Sequence, residues 1–169
     1  MEIKKNIISP SGQKFEITYN DVDEDNAFIG KKMESVRAYC FIKDLLVVVH
    51  EAAGYWGIPG GSIENEESVR DGAVREVMEE TNMKILKMKF VGMHETISLS
   101  GESAFQARVV CLVEPVGDFI EDPAGEITEI KLMDPYEFIK LDDYQWDEIS
   151  NRMLERAMEF KKQMEMEAN

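Results

Sequence analysis

The chain has 169 residues, 44% of them hydrophobic and 31% charged, which sets one globular domain with a core of its own as the expectation. A formal net charge of −15 argues against binding a nucleic-acid polymer, because sequence-independent binding of that kind needs a basic surface. The longest apolar run, Leu45 to Val49, is far too short to span a bilayer, and the opening MEIKKNIISPSG lacks the apolar stretch of a secretory signal. Cys40 and Cys111 lie in apolar runs without paired spacing, so they read as reduced core residues, and the expected location is cytoplasmic.

Residues 2–8 and 13–19 are rich in β-prone side chains around Ser9-Pro10-Ser11-Gly12, the pattern of a hairpin with a four-residue turn. The run from Asp21 to Asn26 starts like a calcium loop but supplies Asn26 where glycine belongs and Lys32 where the last glutamate belongs. It is read as a polar connection, and residues 1–34 form an N-terminal hairpin with its link. Residues 36–42 and 45–50 read as two strands joined by Lys43-Asp44, and the loop EAAGYWGIPGG follows. Residues 60–83 form a loop and helix. Two longer strands are expected at 86–97 and 104–114, the second from its alternation of Phe105, Ala107, Val109, Cys111 and Val113 with other residues. An acidic loop from Asp118 to Gly125 precedes a short strand at 127–133. Pro135 opens a short helix, PYEFIKL, and a long helix runs from Asp147 to about Met166 with Ile149, Met153, Leu154, Ala157 and Phe160 on one face. Strands outnumber helices and the two strong helices are far apart, which fits an α+β class with a mixed sheet packed between helices.

The chemistry concentrates between Gly61 and Met83. Glu76, Glu79 and Glu80 are spaced 0, 3 and 4, on one side of a helical turn. Like charges crowded there repel, and a hard divalent cation with oxygen ligands reverses the sign of that interaction. Asn65 is the expected N-cap, with Glu66 and Glu67 in the first turn where acids favour the helix dipole. Val69, Ala73, Val74 and Val77 cover an arc expected to pack on the sheet, beside the arc of the glutamates. Gly72 falls in the glutamate arc, either tolerated there or small enough to let a loop or ligand approach. Asn82 stands where the helix should end, and asparagine is second only to glycine in the left-handed conformation needed there.

The spacing from Gly61 through Glu67, Arg75, Glu76, Val77, Glu79, Glu80 and Met83 resembles the Nudix box, G-x5-E-x7-R-E-U-x-E-E-x-G-U, with Asn82 in place of the last glycine. Chance would produce such a match on the order of 10⁻⁵ times per chain. Membership of the Nudix, or MutT-like, hydrolase family implies an α/β/α sandwich around a mixed β-sheet over one domain, residues 1–169. It implies Mg²⁺, with Mn²⁺ as a substitute, held by Glu76, Glu79 and Glu80 with a carbonyl from Gly60. It gives Arg75 the role of orienting these acids, and Gly61 and Glu67 supporting roles.

The implied reaction is hydrolysis of the pyrophosphate bond in a nucleoside diphosphate linked to another group, with small nucleotides as partners. Glu76 is the first choice of general base, and the candidates outside the box are Glu95, Glu102 and Glu126. His50 and His94 are weaker candidates for contacts. A base-stacking aromatic is sought among Phe28, Tyr39, Tyr55, Trp56 and Phe105. The absence of a second motif after the box leans the reading to a nucleoside triphosphate pyrophosphohydrolase, with an ADP-ribose or nucleotide-sugar pyrophosphatase and a non-catalytic nucleotide-binding module as alternatives. The long C-terminal helix has two candidate uses, docking on its own domain or bridging a homodimer.

Overall fold

The computed structural model describes residues 1–8, 12–141 and 146–167. It contains eight strands: β1 (Glu2–Ile8), β2 (Lys14–Asp21), β3 (Met33–Ile42), β4 (Leu45–Glu51), β5 (Trp56–Gly57), β6 (Met83–Ser98), β7 (Ser103–Pro115) and β8 (Ile127–Met133). The helices are α1 (Val69–Thr81), the short α2 (Pro135–Phe138) and α3 (Glu148–Met166). The expected hairpin is present as β1 and β2, paired from Glu2↔Asn20 to Ile8↔Lys14. Most of its predicted turn, Ser9-Pro10-Ser11, lies outside the described residues. Among the described residues no helix is long and apolar enough to cross a membrane.

The strands form one mixed sheet in the order β1-β2-β6-β7-β3-β4-β5, with β8 on the other edge of β4. Only β3 and β7 run parallel, from Met33↔Phe105 to Phe41↔Leu112. Alternation along β3 serves the two faces. Val36, Ala38 and Cys40 join Val69, Ala73 and Val77 of α1 in one core, while Tyr39 and Phe41 join Phe138 of α2 and Ile149, Met153, Leu154 and Ala157 of α3 in the other. Each of the larger side chains among them (Val, Leu, Ile, Met, Phe) contributes about 1.5–3 kcal/mol when taken out of water, so the three layers hold together without disulfides. Both cysteines are buried free thiols facing each other across β3 and β7. The α3 helix thus docks on its own sheet.

Several boundaries differ from the sequence reading. β3 begins at Met33, two residues inside the expected N-terminal link, and Asp25–Phe28 of that link is a 3-10 turn. β6 starts at Met83, immediately after α1, because Asn82 turns the chain with φ 52° and ψ 39° and donates from its side chain to the Asp118 carbonyl at 2.9 Å. The N-cap of α1 is Ser68, not Asn65. Ser68 accepts a hydrogen bond from the Asp71 amide at 3.1 Å and donates to the Asp71 carboxylate at 2.7 Å, a reciprocal pairing that Asn65 has no partner to make. Glu66 and Glu67 therefore precede the helix. Val74 is 48% exposed and lies off the apolar arc, while Glu80, which projects between Val69 and Ala73, takes a place within it.

The pairing of β3 with β4 covers only Cys40 to Ile42 against Leu45 to Val47. Beyond it the two strands separate, and the segment from Pro59 to Ile63 enters the gap. Its backbone continues the ladder: Ala38 N–H donates to the Pro59 carbonyl at 2.8 Å, Val36 N–H to Gly61 at 3.0 Å, and Ile63 N–H to Glu34 at 2.9 Å.

Candidate active site

This inserted segment fixes the position of both glycines. Gly60 has φ 138°, and a side chain there would place its Cβ 2.8 Å from Arg37 Cα and closer still to the Val36 carbonyl oxygen. At Gly61 a Cβ would meet all three atoms of the Glu76 carboxylate within 2.7 Å. The loop backbone and the α1 carboxylates are therefore in direct apposition. The Gly60 N–H donates to Glu80 Oε2 at 2.7 Å. Gly72 has the close neighbour that its smallness allows: its Cβ position is 3.1 Å from Glu67 Oε2 and 3.4 Å from Ile63 Cγ1.

Arg75 organises the acids. Its Nε and Nη2 hold the Glu67 carboxylate at 2.9 and 2.8 Å, Nη2 also donates to the Ser62 carbonyl at 2.8 Å, and Nη1 reaches Glu76 at 2.7 Å and Glu79 at 3.2 Å. The hydrogen bond from Arg75 outweighs burial at Glu67 and holds its carboxyl below the usual value. Burial has the opposite effect on Glu76, whose carboxyl is raised despite Arg75. At Glu80, only 6% exposed, burial pushes the carboxyl up to about 7 against the hydrogen bond from Gly60.

Gly60, Gly61, Arg75, Glu76, Glu79 and Glu80 line a cleft of about 490 Å³ that also includes residues from far along the chain. Arg37 and Ser35 come from β3, Gln106 from β7, and Glu51 from the end of β4. Asp122 and Glu126 come from the acidic loop before β8. The Asp122 carboxylate accepts from the backbone amides of Glu126 at 2.7 Å and Ile127 at 3.2 Å, which folds that loop, and the Ala52 amide binds the Glu126 carbonyl at 2.7 Å, which ties it to the cleft. Sequence spacing could not find Arg37, Glu51 or Asp122, because strand pairing and loop closure bring them in.

The other candidates separate clearly. Glu126 lines the cleft, whereas Glu95 accepts from Ser103 and Glu102 from Ser100 at a different end of the sheet. His50 bonds Thr128 and packs against Trp56, and His94 lies edge-on to Tyr19 in the α3 core. Tyr39 and Phe28 are core residues, and Phe105 packs against the α1 core. Tyr55 reaches a cleft side chain, donating its hydroxyl to Glu51.

Six carboxylates (Glu51, Glu76, Glu79, Glu80, Asp122 and Glu126) face two guanidiniums (Arg37 and Arg75) across this cleft. An anionic substrate meets a repulsive field there unless cations enter with it. Among the described residues no three acidic, histidine or cysteine side chains already converge as a cation cage. Glu76 and Glu79 are turned to Arg75 and Glu80 to Gly60. The donor set nevertheless suits a hard divalent cation: all its ligands are oxygens, two of them, on Glu76 and Glu80, belong to carboxyls raised by burial, and a close backbone turn stands beside them.

The model of the NUDIX domain matches residues 31–156. Nudix hydrolase 8 of Arabidopsis thaliana is 29% identical over 118 residues, 67% of this chain and 32% of that protein. The chain spans about a third of the length of the curated relatives it matches. Among solved structures, the Bacillus subtilis pyrophosphohydrolase BsRppH superposes with a TM-score of 0.66 over 92% of this chain and 96% of that one at 15% identity, and a NUDIX hydrolase from Nitrosomonas europaea with 0.59 over 77% and 91% at 20% identity. The shared sandwich and the domain match over most of the chain, together with the box as folded here on α1, establish that this chain belongs to the Nudix family.

Proposed function

We propose that this chain is a divalent-metal-dependent hydrolase that cleaves the pyrophosphate bond of a small nucleotide in which a nucleoside diphosphate is linked to another group. The observation that carries this reading is the excess of carboxylates over guanidiniums in a cleft where Gly60 and Gly61 bring backbone against Glu76 and Glu80. Glu76, Glu79, Glu80 and the Gly60 carbonyl would hold Mg²⁺ or Mn²⁺, which when bound neutralises charge on the phosphate oxygens and the leaving group. Arg75 holds Glu76 and Glu79 on the cleft side of α1, and Glu67 anchors Arg75 from behind.

Water needs a base to attack phosphorus. The sequence put Glu76 first in that role, but its carboxylate is bonded to Arg75 and pressed against Gly61. Glu126 is exposed at the cleft and its carboxylate takes no hydrogen bond among the described residues, so it is the better base. Tyr55, whose hydroxyl binds Glu51 of the cleft, is the first aromatic to test for stacking on a base. Nucleoside triphosphates are the first substrates to try, and ADP-ribose and nucleotide sugars the second.

The test is product analysis by mass spectrometry. The chain meets a pooled panel of nucleoside triphosphates, oxidised nucleotides, ADP-ribose, dinucleotide polyphosphates and nucleotide sugars, with Mg²⁺ and with chelator. Metal-dependent cleavage is expected, and the products identify the broken bond. Nucleotide binding without cleavage, and equal affinity in Glu79→Gln, would instead identify a binding module.

A further inference from the structure

Arg37 and Glu51 form a contact that the metal chemistry does not use. Arg37 donates from Nη1 to Glu51 Oε1 at 3.3 Å and from the same nitrogen to the Ile58 carbonyl at 3.2 Å. A guanidinium has five donors in a rigid fork. Among the described residues the side-chain bonds of Arg37 all leave through Nη1, so the remaining donors are uncommitted, and the residue lines the cleft. Arg75, the other cleft cation, already serves Glu67, Glu76, Glu79 and the Ser62 carbonyl. Arg37 is therefore the cation available to a second anion.

Its neighbours hold it in readiness. Arg108 is the direct partner of Arg37 across β3 and β7, so a second guanidinium-bearing residue stands beside it on the same face. Glu51 meets Arg37 through one oxygen, and its other oxygen accepts from the Tyr55 hydroxyl. Glu51 also caps a tight turn: its N–H binds the Tyr55 carbonyl at 2.9 Å and its carbonyl accepts from Gly54 at 2.8 Å. The acid is thus fixed on a short β-turn at the mouth, with side chains 28% and 17% exposed for Arg37 and Glu51. A single-nitrogen contact at 3.3 Å is a poor use of a fork that matches phosphate with two parallel bonds.

We propose that Arg37 is the phosphate-binding residue of the cleft and that Glu51 is a built-in competitor for it, occupying Arg37 until a substrate phosphate displaces it while Tyr55 retains Glu51. This inference rests on the hydrolase reading for the kind of ligand, but not on turnover. Glu51 then sets affinity: only an anion that binds Arg37 more strongly than a tethered carboxylate enters, which favours multiply charged phosphates over simple carboxylates.

The test measures binding of methylenediphosphonate, a non-hydrolysable pyrophosphate analogue, by titration calorimetry in the presence of Mg²⁺. Glu51→Gln keeps the shape and the tyrosine partner but removes the competing charge, and it should tighten binding about three- to tenfold. Arg37→Met should weaken binding by more than about tenfold, with Arg37→Lys between it and the parent because a point charge lacks the fork. In the Arg37→Met background, Glu51→Gln should change nothing. Unchanged or weaker binding by Glu51→Gln, or a gain that survives Arg37→Met, overturns the proposal, as does an unmodified protein that fails to bind the probe. Tight, Arg37-dependent binding alongside no hydrolysis of any nucleotide would sink the hydrolase reading and leave this inference standing.

Discussion

On α3, Arg152 and Arg156 share Asp21 at 2.6 and 3.4 Å, and Lys161 sits between Asp44 at 3.1 Å and Glu165 at 2.8 Å, so all three cations meet acids. In the cleft, six acids face two arginines. Both regions bury charge and both are assembled from distant segments. The first is neutralised from within and clasps the N-terminal hairpin to the last helix. The second is left short of positive charge, which weakens the folded chain by itself and is relieved only by something that binds. Internally balanced ions point to structure, and unbalanced ones to a ligand.

Substitutions should separate the two regions by which property falls. Glu79→Gln is expected to reduce kcat about 10²-fold or more while leaving the melting temperature unchanged or higher, since it removes one of a crowded set of like charges. Steady-state kinetics and a thermal melt on the same sample would check this. Asp21→Ala should do the reverse. It removes the acid that Arg152 and Arg156 share, leaving Arg156 with Asp23 and the Val22 and Val91 carbonyls, and is expected to cost about 2 kcal/mol in chemical denaturation, with kcat near the parent value.

Gly60→Ala tests the junction of sheet and cleft. The close Arg37 and Val36 backbone and the φ of 138° leave no room for a methyl group, so a loss of about 2–3 kcal/mol in stability is expected together with loss of turnover. The pH response offers a gentler probe of the clasp. Burial raises the Asp21 carboxyl, but the hydrogen bond from Arg152 and the charge of Arg156 outweigh it and hold it below the ordinary 3.8. The unfolded chain therefore takes up this proton first. The stabilisation is complete above the ordinary value and is lost as pH falls through the lower folded one. Denaturation curves collected on the acid side should show this slope, and Asp21→Ala should flatten it. The smallest effect is expected for Asn82→Gly, within about 1 kcal/mol, because relief of the left-handed backbone offsets the lost bond to Asp118.

What the sequence revealed follows the range of the interactions. The three glutamates, Arg75 and Asn82 were legible because helix geometry relates residues a few positions apart, and the sheet-facing alternation of β7 was legible for the same reason. Asn65 and Ser68 are both good N-caps, and the choice depended on Asp71 answering Ser68, a detail easily passed over. Glu80 was readable as a candidate ligand but not as a buried residue, since its arc was assigned to the cleft while its projection falls among the apolar residues. Arg37 and Glu51 could not be read at all. They meet because β3 and β4 diverge, and divergence leaves no mark in composition or period.

That divergence has a dynamic consequence. The segment from Pro59 to Ile63 takes the place of a strand, with Val36, Ala38 and Ile63 amides locked in its ladder. Segments that carry chemistry usually open at little cost, independently of the rest of a domain. Here the amides around the cleft would exchange with solvent only when the centre of the sheet opens, so the geometry of Gly60 and Gly61 inherits the persistence of the core. The turns at Glu51–Tyr55 and Asp118–Gly125 can vary at the cleft rim while the backbone at Gly60 and Gly61 stays rigid.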